Sequence, residues 1–158
     1  MMAIYEELNL KRIINAYGTM TKLGGSRMDP RVLDAMKAAS EAFVDMYEYH
    51  RRAGEKIAEY LGAEACCITA GAAAGIAVSA AASMTGTSEA YALQLPDTSG
   101  MKNEALVLKC HRTLYDQALS VSGIHVREVG NTAYCCMEQV ERAINEKTAM
   151  FMYTVEAD

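Results

Sequence analysis

An α/β fold with a parallel sheet covered by helices on both faces is predicted by three features of this 158-residue sequence. Short apolar runs at 105–110, 124–129 and 149–155 read as buried strands, and helical patterns separate them. A further short run, Cys66-Cys67-Ile68, passes through Gly71 into an alanine-rich stretch over 72–85, the order strand, glycine, helix. Hydrophobic residues make up 51% of the chain, enough for one substantial core. A parallel sheet normally buries both faces, and the last run reaches almost to Asp158. Further structure beyond it, or a covering partner, is therefore expected.

Residues 4–12 are amphipathic but short, and 13–28 gather Asn15, Gly18, Gly24, Gly25 and Ser26 with little periodicity, as in an arm or entrance loop. Asp29 caps the next helix and Pro30 occupies its first position, where a missing N–H costs little. Val32, Met36, Ala39, Phe43 and Met46 carry its apolar stripe through 46. A second helix is predicted over 52–61 with Ile57 and Leu61 on one side, ended by Gly62 in a left-handed conformation. The alanine-rich helix over 72–85 contains Gly75, which costs about 1 kcal/mol relative to alanine and requires buried contacts to offset it. Residues 86–104 read as irregular, long enough for an entrance flap or interface insertion. Thr113 caps the helix after the 105–110 strand, with Asp116 three residues on as the reciprocal partner. A last helix is predicted over 137–146.

Charge and composition exclude several function classes. Fifteen basic residues against 20 acidic ones give a net charge of −5, a field that disfavours nucleic acid. The sequence has no uncharged apolar run of about 18 residues, and Glu6 and Glu7 stand where a secretory apolar region would lie. A cytoplasmic location is the expectation, and no membrane partner. The five cysteines include two adjacent pairs, whose side chains point to opposite faces of a strand. They read as small buried hydrophobes rather than a metal site or disulfide framework.

The passage Thr69-Ala70-Gly71-Ala72-Ala73 carries the most chemistry. A helix start leaves amides without partners and adds a positive field, so it suits a phosphate, and a glycine there lets the anion approach the backbone. The passage has neither the lysine of a phosphate loop nor the Gly-x-Gly-x-x-Gly pattern. Small residues at this point also serve close packing of helix on sheet.

Three groups of residues, in this order, resemble the selenocysteine-synthase-like branch of pyridoxal-phosphate enzymes with the aspartate-aminotransferase fold. They are Ile14-Asn15-Ala16-Tyr17-Gly18-Thr19, then Gly25-Ser26-Arg27, then Leu61-Gly62-Ala63-Glu64-Ala65 followed by Thr69 to Ala77. Within that branch the resemblance is to ammonia lyases of phosphorylated aminosugar acids such as D-glucosaminate-6-phosphate, and it spans nearly all of 12–158. It implies the first part of the large domain of a fold-type I transferase, three-layer α/β/α, over 29–158 and continuing beyond, preceded by an arm over 1–28. It also implies pyridoxal 5'-phosphate as cofactor.

On this resemblance Ala70, Gly71, Ala72 and Ala73 receive the cofactor phosphate. Alanines stand where many relatives carry serine or threonine, so backbone donors carry the binding, with Thr69 the nearest hydroxyl. His111 lies where relatives place a residue over one face of the pyridine ring. The Schiff-base lysine and the aspartate that pairs with the pyridine nitrogen are expected beyond 158, so the 158-residue segment alone is expected to be inactive. Lys102 and Lys109 are read as ordinary charged residues. Arg12 and Arg27 are candidates for holding a substrate carboxylate or phosphate through a guanidinium fork. The implied reaction is an elimination that ends in a keto acid and ammonia. Alternatives are selenium transfer on L-seryl-tRNA, whose enzymes carry a preceding RNA-binding region, and a catalytically inactive structural or regulatory module. Relatives place active sites near subunit contacts, which implies a homodimer or a ring of dimers meeting through 13–28 or 86–104.

Overall fold

The computed structural model describes residues 3–155, which fall into two compact units divided between Tyr49 and His50. The first contains α1 (Ala3–Glu7), a 3-10 turn (Thr21–Leu23) and α2 (Pro30–Ser40). Asn15 organises a turn by accepting from the Tyr17 N–H at 2.9 Å and donating to the Gly18 carbonyl at 2.7 Å. Asp29 caps α2 as the sequence predicts: its carboxylate accepts the Arg31 N–H at 2.9 Å, and Pro30 opens the helix. The helix stops at Ser40, short of the expected 46. Ser40 donates its hydroxyl back to the Lys37 carbonyl at 2.7 Å, a local bond that competes with helix continuation. Phe43 is fully exposed, and Met46 opens the next helix instead.

That helix, α3 (Met46–Leu61), begins six residues before the expected 52 because Asp45 accepts the Glu48 N–H at 2.9 Å and so supplies an N-cap. Gly62, at φ +63°, follows it in the left-handed region, as expected. The run Cys66-Cys67-Ile68 is not a strand. It has no ladder partner among the described residues and lies instead against α3. There His50 Nε2 donates to the Ile68 carbonyl at 2.7 Å, and a Cβ placed on Gly54 would come within 2.3 Å of the Cys66 carbonyl oxygen.

Helix α4 (Ala72–Thr85) has the predicted bounds. The segment 86–104, expected to be irregular, contains a short helix: α5 (Glu89–Gln94) is capped by Ser88, and the Gln94 amide donates to the carbonyls of Asp97 and Ser99. Thr98 is buried and accepts from Asn103 at 2.9 Å. Side-chain amides and hydroxyls thus replace the regular ladder whose absence made the segment read as irregular.

The sheet consists of β1 (Glu104–Leu108), β2 (His125–Val129) and β3 (Thr148–Met152), all parallel, in the order β2-β1-β3. The helix after β1 is reduced to a 3-10 turn (Leu114–Asp116) and α6 (Gln117–Ser120), and that after β2 is α7 (Met137–Ala143). Alternation along β1 divides the core. Ala105 and Val107 pack with Ala80 and Met84 of α4 and Leu119 of α6, whereas Leu106 packs with Val129 and with Val140 of α7 on the other face. Three layers result. Leu106, Val107 and Leu119 are completely buried, each contributing on the order of 1.5–3 kcal/mol of hydrophobic stabilisation.

Candidate cofactor site

Helices α6 and α7, which follow adjacent strands, lie on opposite faces of the sheet. In an open α/β sheet this arrangement opens a ligand crevice outside the carboxyl ends of the strands. The chain leaves β1 there through a 3-10 turn, Lys109–His111, which presents the partly buried His111.

Gly71 precedes α4 with φ +141° and ψ 174°, a conformation essentially confined to glycine, and no neighbour lies within 4 Å of where its Cβ would stand. No side chain caps α4, and Ala70 to Ala73 are exposed. The first α4 amides therefore point to open space under the positive end of a 14-residue helix. Thr69 donates its hydroxyl to the Gly71 carbonyl at 3.0 Å, which commits that hydrogen to the turn. Backbone donors and a glycine-only turn fit a phosphate group. The residues present suit the anionic end of pyridoxal phosphate.

The first turns of α4 border the segment that follows His111. Ala73, Ala74 and Ala77 of α4 line one shallow apolar groove with Leu114 and Tyr115, which follow His111 by three and four residues. Arg12 and Arg27 are exposed and lie outside any helix or strand, in the other compact unit.

Sequence reasoning missed the polar network around His111. The Thr154 N–H donates to His111 Nδ1 at 3.2 Å, tying the end of β1 to the residues after β3. Arg112 Nε donates to Asp116, and its NH1 donates to Glu128 of β2 at 2.7 Å. Lys109 Nζ lies 3.4 Å from the other Glu128 oxygen. Asp116 also accepts from the Thr113 N–H and hydroxyl, completing the predicted capping box. Burial opposes the charge of Asp116, but the Thr113 bonds and the Arg112 guanidinium together outweigh it and hold its carboxyl below the ordinary aspartate range. Thr113 and Asp116 were legible from their spacing, whereas Glu128 reaches Arg112 only through the parallel register that sets Leu108 beside Val129.

This combination of fold and site defines a class: the α/β architecture matches that of fold-type I pyridoxal-phosphate transferases. Among solved structures, the chain matches D-glucosaminate-6-phosphate ammonia-lyase with a TM-score of 0.89 and 41% identity, covering 94% of this chain and 41% of that one. Among curated proteins, it is 41% identical over 154 residues to the D-glucosaminate-6-phosphate ammonia lyase of Salmonella typhimurium (strain 14028s / SGSC 2262). It is 32% identical over 154 residues to a 5'-C-glycyluridine monooxygenase-decarboxylase of a Streptomyces species. The chain spans 42% and 39% of the lengths of these two relatives. No protein-family profile matches it. Among the described residues, no helix is long and apolar enough to cross a membrane.

Proposed function

We propose that this chain forms the cofactor-phosphate and ring-facing part of a pyridoxal-phosphate-dependent ammonia lyase. The whole polypeptide would act on a small phosphorylated aminosugar acid such as D-glucosaminate-6-phosphate. The observation that carries this reading is the 41% identity to the Salmonella ammonia lyase over 154 residues. It coincides with an uncapped glycine turn at the start of α4.

Bound pyridoxal phosphate supplies an electron sink for a carbanion beside the substrate nitrogen. The chain's residues position that chemistry. The turn Ala70-Gly71-Ala72-Ala73 holds the phosphate through backbone N–H groups, and His111 stands over one face of the ring. Arg12 and Arg27 take the charged ends of the substrate. The Schiff-base lysine and the pyridine-nitrogen aspartate belong to positions outside 1–158. Residues 1–28 serve as an arm and 29–158 as the first part of the large domain. The complete protein is a cytoplasmic homodimer or larger homo-oligomer, with 13–28 or 86–104 at a subunit contact. The net charge of −5 supports a small-molecule substrate over tRNA.

The test measures ammonia and keto-acid production from D-glucosaminate-6-phosphate by the complete, cofactor-loaded polypeptide. Seryl-tRNA with a selenium donor, and 5'-C-glycyluridine with oxygen, are run in parallel. Turnover confined to either of the latter would replace the aminosugar acid as substrate class. An absence of pyridoxal-phosphate binding would favour a structural or regulatory module.

A further inference from the structure

The carboxyl ends of β1 and β2 carry a connected set of charges that the proposed chemistry does not use. Arg112 follows His111 directly and spans two carboxylates on different elements. Its Nε donates to Asp116, whose side chain is 3% exposed, and its NH1 donates to Glu128 of β2 at 2.7 Å. Lys109, at the other end of the same 3-10 turn, lies 3.4 Å from the second Glu128 oxygen. The turn is therefore clamped at both ends, by a planar fork on one side and an ammonium on the other. An isolated exposed ion pair contributes little, but a network anchored on a buried and fully bonded carboxylate holds its geometry.

Between the clamped ends sits His111, and the Thr154 N–H aims at its Nδ1 at 3.2 Å. A backbone N–H only donates, so Nδ1 must offer its lone pair and the proton of the neutral ring resides on Nε2. Thr154 follows β3, which pairs with β1 and not with β2, so this hydrogen bond joins the segments after β1 and β3, while Arg112 and Lys109 tie the same turn to Glu128 of β2.

We propose that Arg112, through Asp116 and Glu128, is a positioning residue that holds His111 in the Nε2–H tautomer with its ring orientation fixed by Thr154. This rests on the reading of His111 as the ring-facing residue, and it adds which nitrogen carries the proton and what keeps it there. Lysine at 112 would keep the charge but lose the fork that bridges two carboxylates.

The experiment is nitrogen-15 NMR of histidine-labelled full-length protein without cofactor, at pH 8, with His111 assigned by the signal lost in His111→Gln. The wild type is expected to show the Nε2–H tautomer in clear excess. Glu128→Ala and Arg112→Lys should each reduce that excess by about twofold to tenfold, the change expected when one neutral hydrogen bond, here Thr154 N–H to His111 Nδ1, is lost. Glu128→Gln, which retains an acceptor for Arg112, should recover part of it. Urea unfolding midpoints of the labelled samples separate positioning from global loss of structure. Equal tautomer populations in the wild type, or an excess unchanged in both Glu128→Ala and Arg112→Lys, would overturn the proposal. The separate reading of His111 as ring-facing is judged on the loaded protein, from the absorbance of bound pyridoxal phosphate in His111→Ala. A normal spectrum there with the tautomer shift intact would sink the cofactor role and leave the positioning network standing.

Discussion

His111 and Asp116 lie on one short turn system yet make different demands. If His111 stacks on the cofactor ring, His111→Phe should keep most of the pyridoxal-phosphate affinity of the full-length protein. His111→Ala should lower it by about twofold to tenfold, the range for one aromatic contact. Equilibrium dialysis with absorbance spectra checks this, and equal affinity in both variants would count against stacking. Asp116 acts on stability. Its carboxyl is held below the ordinary aspartate value, so its stabilising contribution is complete above about pH 3.9 and is lost as pH falls through the still lower folded value. Asp116→Asn should therefore cost about 1.5–3 kcal/mol near neutrality, with the gap from wild type closing in strong acid. Urea titrations across pH would reveal a gap that stays constant instead, in which case the carboxylate charge is not what matters. At Gly71 the backbone conformation decides. Alanine there would be strained by about 1–3 kcal/mol and should turn the first α4 amides away from the phosphate, lowering cofactor affinity by about tenfold or more.

Two opposing effects meet where α3 crosses the segment before Gly71. Gly54 lies inside a 16-residue helix, so alanine there would gain about 1 kcal/mol in helix propensity. Its Cβ, however, would stand 2.3 Å from the Cys66 carbonyl oxygen, a backbone atom, and since a Cβ has no rotamer nothing short of a backbone shift relieves that. Such overpacking costs about 1–3 kcal/mol, so the clash wins and Gly54→Ala should lower the urea midpoint. It should also weaken phosphate binding, because the displaced segment leads directly into the Gly71 turn. A stabilised variant would mean that the helix and this segment separate easily. The same contact explains how the run 66–68 is held without a ladder: the His50 bond to the Ile68 carbonyl and the close approach at Gly54 hold it to α3.

At the scale of the whole polypeptide the expected observable is assembly. Cysteine variants of Ser26 or Asn103 in the full-length protein should cross-link between subunits if 13–28 or 86–104 forms a contact, and solution mass should exceed that of one subunit. A monomer with full turnover at assay concentration would remove the need for an interface. The sheet sets a second expectation. Leu106 is fully buried between Val129 and Val140, so Leu106→Ala should cost about 2–5 kcal/mol by calorimetry or denaturant unfolding, with the α7 layer loosened first.

The sequence by itself determined the α/β order, the bounds of α4, the cap at Asp29 and the Thr113–Asp116 box, because each depends on residues a few positions apart. The glycine turn before α4 was legible for the same reason. Tertiary structure decided what depends on distant partners. Cys66 to Ile68 has strand composition, but a strand exists only through its ladder, and the described residues place this run on a helix instead. Residues 86–104 carry no periodic signal because side-chain bonds through Gln94, Asp97 and Asn103 order them. The clamp on His111 was likewise out of reach, since Thr154 and Glu128 lie 43 and 17 positions away in sequence and parallel pairing alone brings them to one crevice.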